Sequence, residues 1–177
     1  RQKGAVNKAK TYSPVAHPVS YKVILVLHMG DDSVEFFVSD VEQAYLSTQQ
    51  VREVYVGHPP GYKFVSGRKG TYYMKLKPGE KHPFTVAQLP LALYGGIDCG
   101  RLYYEAFVSW HINYGFTLVH YDKCYMFVYK GSSFIKMYFH VDDGMVATRG
   151  KALWRQYLKE VSKRFKMING KLEDRKI

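Results

Sequence analysis

Apolar residues along this chain change period several times, and each change marks an element. Val19, Val23, Ile24 and Leu27 fall on one face at helical spacing with Gly30 as a stop, so a helix is predicted over Val19–Met29. The apolar run from Val34 ends in Ser39-Asp40 and reads as a strand; Val41–Leu46 reads as a short helix or turn. Val51–Val56 and Thr71–Leu76 are predicted strands, closed by Pro59-Pro60-Gly61 and Pro78-Gly79, which cannot continue a hydrogen-bonded ladder. Ser66–Gly70 between them reads as a turn. After the Gly95-Gly96 break, Tyr103, Ala106, Phe107, Trp110 and Tyr114 recur at helical intervals, and Gly115 sits where a terminating glycine belongs. Val119–Tyr129 is a further predicted strand and Gly131-Ser132-Ser133 a tight turn. The last predicted helix, Lys151–Phe165, has Trp154, Leu158, Val161 and Phe165 on one side and Lys151, Arg155, Lys159 and Lys163 on the other.

Between that turn and the last helix lies the most informative stretch. Phe134–Val141 and Met145–Thr148 flank Asp142-Asp143-Gly144, and Asp-Gly between two such runs is a strong hairpin signal. Turn chemistry alone would account for both aspartates. A third aspartate, Asp40, ends the earlier strand, and the three can converge if their strands are neighbours. Carboxylates gathered in one place raise each other's pKa unless cations sit among them. Hard divalent ions take such oxygens, and magnesium keeps open positions for phosphates. Asp31-Asp32, by contrast, read as turn residues.

Composition adds limits. A chain of 177 residues, 46% hydrophobic, can bury one sizeable core, so one domain is expected. The net charge of +11 favours a polyanion such as nucleic acid, although a solvated basic surface would carry the same charge. The apolar run Val23–Leu27 is too short to span a bilayer and no secretory pattern opens the chain. An intracellular location, in a cytoplasmic particle or the nucleus, with no membrane partner, is therefore expected. Cys99 and Cys124 read as buried free thiols, and no His/Cys cluster has zinc spacing. Residues 1–12 read as a mobile basic arm, 13–167 as the folded domain and 168–177 as a frayed tail.

Asp40-Val41-Glu42-Gln43-Ala44-Tyr45-Leu46, followed by His140-Val141-Asp142-Asp143, resembles the two carboxylate motifs of reverse transcriptases. Ser13-Pro14-Val15-Ala16, Val54-Tyr55-Val56 with Pro59-Pro60-Gly61-Tyr62, and Leu93-Tyr94-Gly95 with Arg101 and Tyr104 narrow the resemblance to the copia-type retrotransposon branch. Tyr114-Gly115-Phe116, Asp122-x-Cys124 and Phe165-Lys166-Met167 follow in the family's order, so the likeness runs from Ser13 to Met167.

The resemblance implies an α+β fold, a polymerase palm-like split βαβ antiparallel sheet with helices on one face. It also implies RNA-directed DNA polymerase activity within a retrotransposon polyprotein. Asp40, Asp142 and Asp143 would hold two Mg2+ ions, with Mn2+ as a substitute. Val41, Tyr45, Asp98 and Arg101 would lie at the incoming nucleotide, with the Val41 carbonyl as an extra ligand and Tyr45 as a steric gate against a ribose 2′-hydroxyl. Implied partners are an RNA or DNA primer–template, deoxynucleotides and further polyprotein segments: the start of the fingers, the thumb, ribonuclease H and integrase. The chain departs from the family pattern at four places. His140 replaces a tyrosine or phenylalanine, Asp98 a glutamine that supports the nucleotide, Cys99-Gly100 an Ala-Pro pair, and Gly96 an apolar residue. A carboxylate at 98 would face a triphosphate. Two other readings use the same residues. One is a remnant of this fold that binds nucleic acid without catalysis. The other is an unrelated RNA-binding sheet domain, which requires a paired-aromatic signature this chain lacks.

Overall fold

Strands form where β-branched and aromatic residues alternate with polar ones, and helices where apolar residues return every three or four positions. The computed structural model describes residues 11–57, 60–67, 70–81 and 86–171. Most of the predicted arm, with Pro59, Arg68, Lys69 and residues 172–177, lies outside the described residues. In chain order the elements are α1 (Pro18–His28), β1 (Glu35–Val41), a 3-10 turn (Tyr45–Ser47), β2 (Tyr55–Gly57), β3 (Tyr62–Gly67), β4 (Gly70–Lys75) and β5 (Val86–Gln88). There follow α2 (Cys99–Tyr114), β6 (Thr117–Leu118), β7 (Tyr125–Lys130), β8 (Ser133–His140), β9 (Asp143–Arg149), α3 (Lys151–Val161) and β10 (Met167–Lys171).

Six strands make one sheet in the order β10-β1-β9-β8-β7-β6, each antiparallel to its neighbour. β1 and β8 therefore run the same way with β9 between them, and α2 lies on the connection, a split βαβ arrangement. Two small ribbons, β2 with β5 and β3 with β4, stand apart from this sheet.

α2 and α3 cover one face of the sheet. There Tyr103, Phe107, Tyr157, Val161 and Phe165 join Val41, Met137, Phe139 and Val146 in the main core. α1 lies on the other face, where Ile24 packs on Val34, Phe134, Met145 and Ala147. The helices thus occupy both faces, not one. The predicted apolar stripe of α1 is also turned outward: Val19, Val23 and Leu27 are 56%, 44% and 64% exposed, and Ile24 is the buried residue of this helix. Polar bonds hold α1 in place. Buried Asp122 accepts hydrogen bonds from the His17 N–H (3.3 Å) and the Ser20 hydroxyl, while its other oxygen accepts from the Cys124 N–H (2.9 Å).

Several boundaries differ from expectation: the predicted strand Val51–Val56 is a strand only at Tyr55–Gly57, and β3 and β5 have no predicted counterpart. Residues 168–171, expected to fray, form most of β10, which pairs along the outer edge of β1 from Val41↔Met167 to Phe37↔Lys171. Covering that edge satisfies backbone groups that would otherwise be open. The predicted strand Val119–Tyr129 is cut by a turn at Asp122, leaving β6 and β7. The last helix ends at Val161, and its inner face also uses Leu153 and Tyr157, both buried.

His111 sits in the middle of the core, fully buried. Its Nδ1 is 2.8 Å from the Phe107 carbonyl and its Nε2 is 2.9 Å from the Tyr157 hydroxyl, which in turn points at Met167 Sδ (3.6 Å). Burial, only partly offset by the Phe107 hydrogen bond, pushes its pKa down to about 4.

Candidate active site

The site is built on the middle of the sheet, where β1, β9 and β8 are adjacent. Register places Asp40 opposite Asp143, and Asp143 opposite His140. Directly opposed residues share a face, so Asp40, Asp143 and His140 open on the α1 side of the sheet. Val41, one residue on, turns into the main core and is 3% exposed.

The hairpin turn is not Asp142-Asp143-Gly144 as the sequence suggests. β8 ends at His140 and β9 starts at Asp143, leaving Val141-Asp142 as a two-residue loop. Val141 has φ +58°, with Asp142 outside the positive-φ set, the pattern of a type II′ turn. A β-branched residue there is strained by about 1–3 kcal/mol. The Val41 N–H donates to the Asp142 carbonyl (2.9 Å), and Val141 packs on the main core, so two contacts hold the turn. Gly144 therefore serves the strand. A Cβ there would lie 2.6 Å from Ser39 Oγ and 3.3 Å from the Tyr138 carbonyl, so glycine lets β1 approach β9 beneath the carboxylates.

The three carboxylates interact. Burial raises the pKa of Asp40, and the charges of Asp142, Asp143 and Glu42 raise it further. A hard cation would relieve that repulsion, and the donor set suits one. Among the described residues, however, no group of three His, Cys, Asp or Glu side chains is arranged to hold a metal ion. The donor chemistry fits magnesium, but the side chains are not converged into a ligand set.

Beside the carboxylates, a cavity of about 230 Å³ is lined by Tyr21, Val38, Tyr138, His140, Asp143 and Met145, with Gly144 at its base. The rings of Tyr21 and Tyr138 pack against each other in its wall, tilted, with centroids 6.0 Å apart. Sequence reasoning did not single out either tyrosine. Both fall at positions that read as ordinary packing until α1 is seen to cross this face.

On the other side, Tyr45 leaves β1 through the 3-10 turn and packs on Tyr94 (4.6 Å) and Tyr103 (6.1 Å). Burial raises its pKa, and the Asp142 charge adds to that, so Tyr45 lies within electrostatic reach of the hairpin tip. Tyr103 is 1% exposed, and its hydroxyl has no hydrogen-bond partner among the described residues.

Asp98, expected from its position in the motif to lie at the nucleotide, is held by a partner within the fold. It is 2% exposed at the start of α2, with Arg52 Nε 2.9 Å from its carboxylate. Burial pushes its pKa up, but the hydrogen bond and charge of Arg52, with help from Gln50, outweigh that and hold it below the usual range. The buried carboxylate is thus neutralised by a partner 46 residues away, which no local pattern indicated. Gly96 and Cys99 explain each other: a side chain at 96 would collide with Cys99 Sγ, which donates to the Leu93 carbonyl (2.9 Å). The two departures are one exchange of volume. Arg101 lies on the first turn of α2 and pairs with Glu105 through two contacts of 2.8 and 2.7 Å.

Arg52→Ala is expected to destabilise the chain, because a buried carboxylate loses its partner; half-exposure of Arg52 keeps this below the cost of breaking a fully buried pair. Adding Asp98→Asn should recover most of that loss. Urea unfolding of the two single variants and the double variant measures the coupling directly.

No family model and no solved structure matches this chain. Among the described residues no helix is long and apolar enough to cross a membrane. The chain is 26% identical over 164 residues, 93% of its length, to the retrovirus-related Pol polyproteins from transposons RE1 and RE2 of Arabidopsis thaliana. It is 27% identical over 94% of its length to the retrovirus-related Pol polyprotein from transposon TNT 1-94 of Nicotiana tabacum. It spans about a tenth of the length of these curated relatives. Similarity across nearly the whole chain supports a fragment of a retrotransposon polyprotein.

Proposed function

We propose that this chain is the palm and partial fingers of a copia-type reverse transcriptase, extending a primer 3′-hydroxyl on an RNA or DNA template. The observation that carries this reading is the register. It opposes Asp40 and Asp143 on adjacent strands and sets Asp142 on a strained turn bonded to the residue after Asp40. When bound at Asp40, Asp142 and Asp143, a pair of Mg2+ ions would lower the pKa of the attacking hydroxyl and neutralise charge on the phosphates. The chain's own residues would do the rest. Tyr45, braced by Tyr94 and Tyr103, would place a ring edge under the nucleotide sugar and exclude a 2′-hydroxyl. The Tyr21–Tyr138 cavity would receive apolar surface of the primer–template beside the carboxylates. Arg52 would keep the Asp98 charge away from the triphosphate, which removes the objection raised by that substitution.

One observation favours a second reading, a remnant that binds nucleic acid without catalysis: the carboxylates are not converged among the described residues. Magnesium-dependent primer extension on an RNA template, with Asp142→Asn alongside, separates the two. Incorporation that disappears in the variant is the expected result. No incorporation by the wild-type chain at low salt and high protein, nor with flanking polyprotein segments restored, would leave the remnant.

A further inference from the structure

α3 is charged against the usual rules for a helix. Its inner face, Leu153, Trp154, Tyr157 and Val161, is buried. Its outer face carries Lys151, Arg155, Lys159 and, one residue past Ser162, Lys163, all exposed. Among the described residues Lys163 pairs with Glu160 (2.7 Å), whereas Lys151, Arg155 and Lys159 have no ion-pair partner. Like charges four residues apart disfavour a helix. The start of α3 adds to the positive charge. Gly150 at the cap offers no side chain, the first turn holds no acid, and Lys151 stands at the positive end of the dipole. α2 shows the ordinary solution within the same molecule, with Glu105 four residues after Arg101. The unpaired cations call for external negative charge, and the acid-free start, which α1 and α2 share, does nothing to offset them.

We infer that the outer face of α3 is a second nucleic-acid contact, gripping the phosphate backbone of a duplex on the side of the sheet opposite the carboxylates. Steps of four residues rise about 6 Å each, so the cations form an inclined row rising about 12 Å from Lys151 to Lys159. Ala152 and Gln156 lie between them, and no aromatic or large apolar residue is exposed on this face. That composition offers nothing for base stacking or bilayer insertion, and favours regularly spaced phosphates held without regard to sequence. The sheet separates this row from Asp40 and Asp143, since the inner face of α3 packs on the side of Val41 and Phe139. The contact does not depend on whether the carboxylate site is active.

The test is fluorescence anisotropy of a labelled mixed-sequence DNA duplex of about 20 base pairs, titrated with the chain in KCl from about 50 to 200 mM. The wild-type chain is compared with K151A/R155A/K159A, in which alanine keeps helix propensity high. The slope of log affinity against log salt should become shallower by about 2.7, equivalent to three phosphates, with at least about a tenfold loss of affinity. The single variants R155A and K159A should each change the slope by about 0.9, which keeps the test open if the triple variant folds poorly. Equal slopes for wild type and the well-folded variants would overturn the inference. So would a loss confined to phosphatidylserine vesicles or to polyglutamate, since either would assign the row to another anion.

Discussion

Replacing Asp40 by Asn should cost at least about 10²-fold in primer extension, and yet leave the chain more stable. The activity loss follows from removing one of the carboxylates proposed to hold magnesium, whose stabilisation of developing charge is worth several kcal/mol. The stability gain follows from linkage. Burial and the charges of Asp142, Asp143 and Glu42 raise the Asp40 pKa above its ordinary value, so the native state binds that proton more tightly than the unfolded chain. Above the raised pKa the ionised carboxylate therefore works against folding. That deficit fades as pH falls through the raised value. Asparagine removes it at neutral pH, and the melting temperature should rise by roughly 1–3 °C in the absence of divalent ions. Magnesium should raise the melting temperature of the wild-type chain and not of the variant. A variant that melts lower than wild type in chelator would show that Asp40 is held by structural contacts, not strained by its neighbours.

The second large effect concerns acid. His111 is neutral in the core at a pKa of about 4, while an exposed histidine titrates near 6.5. The unfolded chain therefore takes up a proton across that window and the native chain does not. Stability should be full above pH 6.5 and fall by about 3 kcal/mol by pH 4, at close to 1.4 kcal/mol per unit in the middle of the range. Among the described residues the ring's polar partners are the Phe107 carbonyl and the Tyr157 hydroxyl, neither of them charged, so neither compensates the added charge. His111→Gln removes this contribution. Urea midpoints of wild type and variant, measured from pH 7 to pH 4, should draw together by about that amount. Parallel curves would mean that protonated His111 is accommodated.

The physical reason these two groups behave oppositely is their surroundings. Asp40 stands at a sheet surface among like charges, and its neighbours decide its behaviour. His111 stands among rings, and desolvation decides it. Each could be named from the sequence, Asp40 as a strand-end carboxylate and His111 within a helical run, but neither shift could be.

Local pattern by itself determined much of this protein. The 3.6-residue period over Tyr103–Tyr114 with Gly115 after it, the amphipathic stretch from Lys151, and the apolar runs ending at Asp40 and around Asp142 each specify their element through side chains that must be buried on one side. The motif order from Ser13 to Met167 also stood in the sequence. Contacts between distant segments decided the rest. Which face of α1 is buried depends on Asp122, more than 100 residues away, which anchors the start of that helix. Residues 168–171 are a strand because the edge of β1 needs a partner, and an edge strand half in solvent has no strong apolar pattern. The turn moved from Asp142-Asp143-Gly144 to Val141-Asp142 because β9 must pair with β1 and β8 at once, and glycine at 144 lets Ser39 pass beneath it. Asp98 and Arg52 became a pair because the start of α2 folds back on the segment before β2. Periodicity reports what a residue needs, burial or water; only the tertiary structure supplies the partner that meets the need.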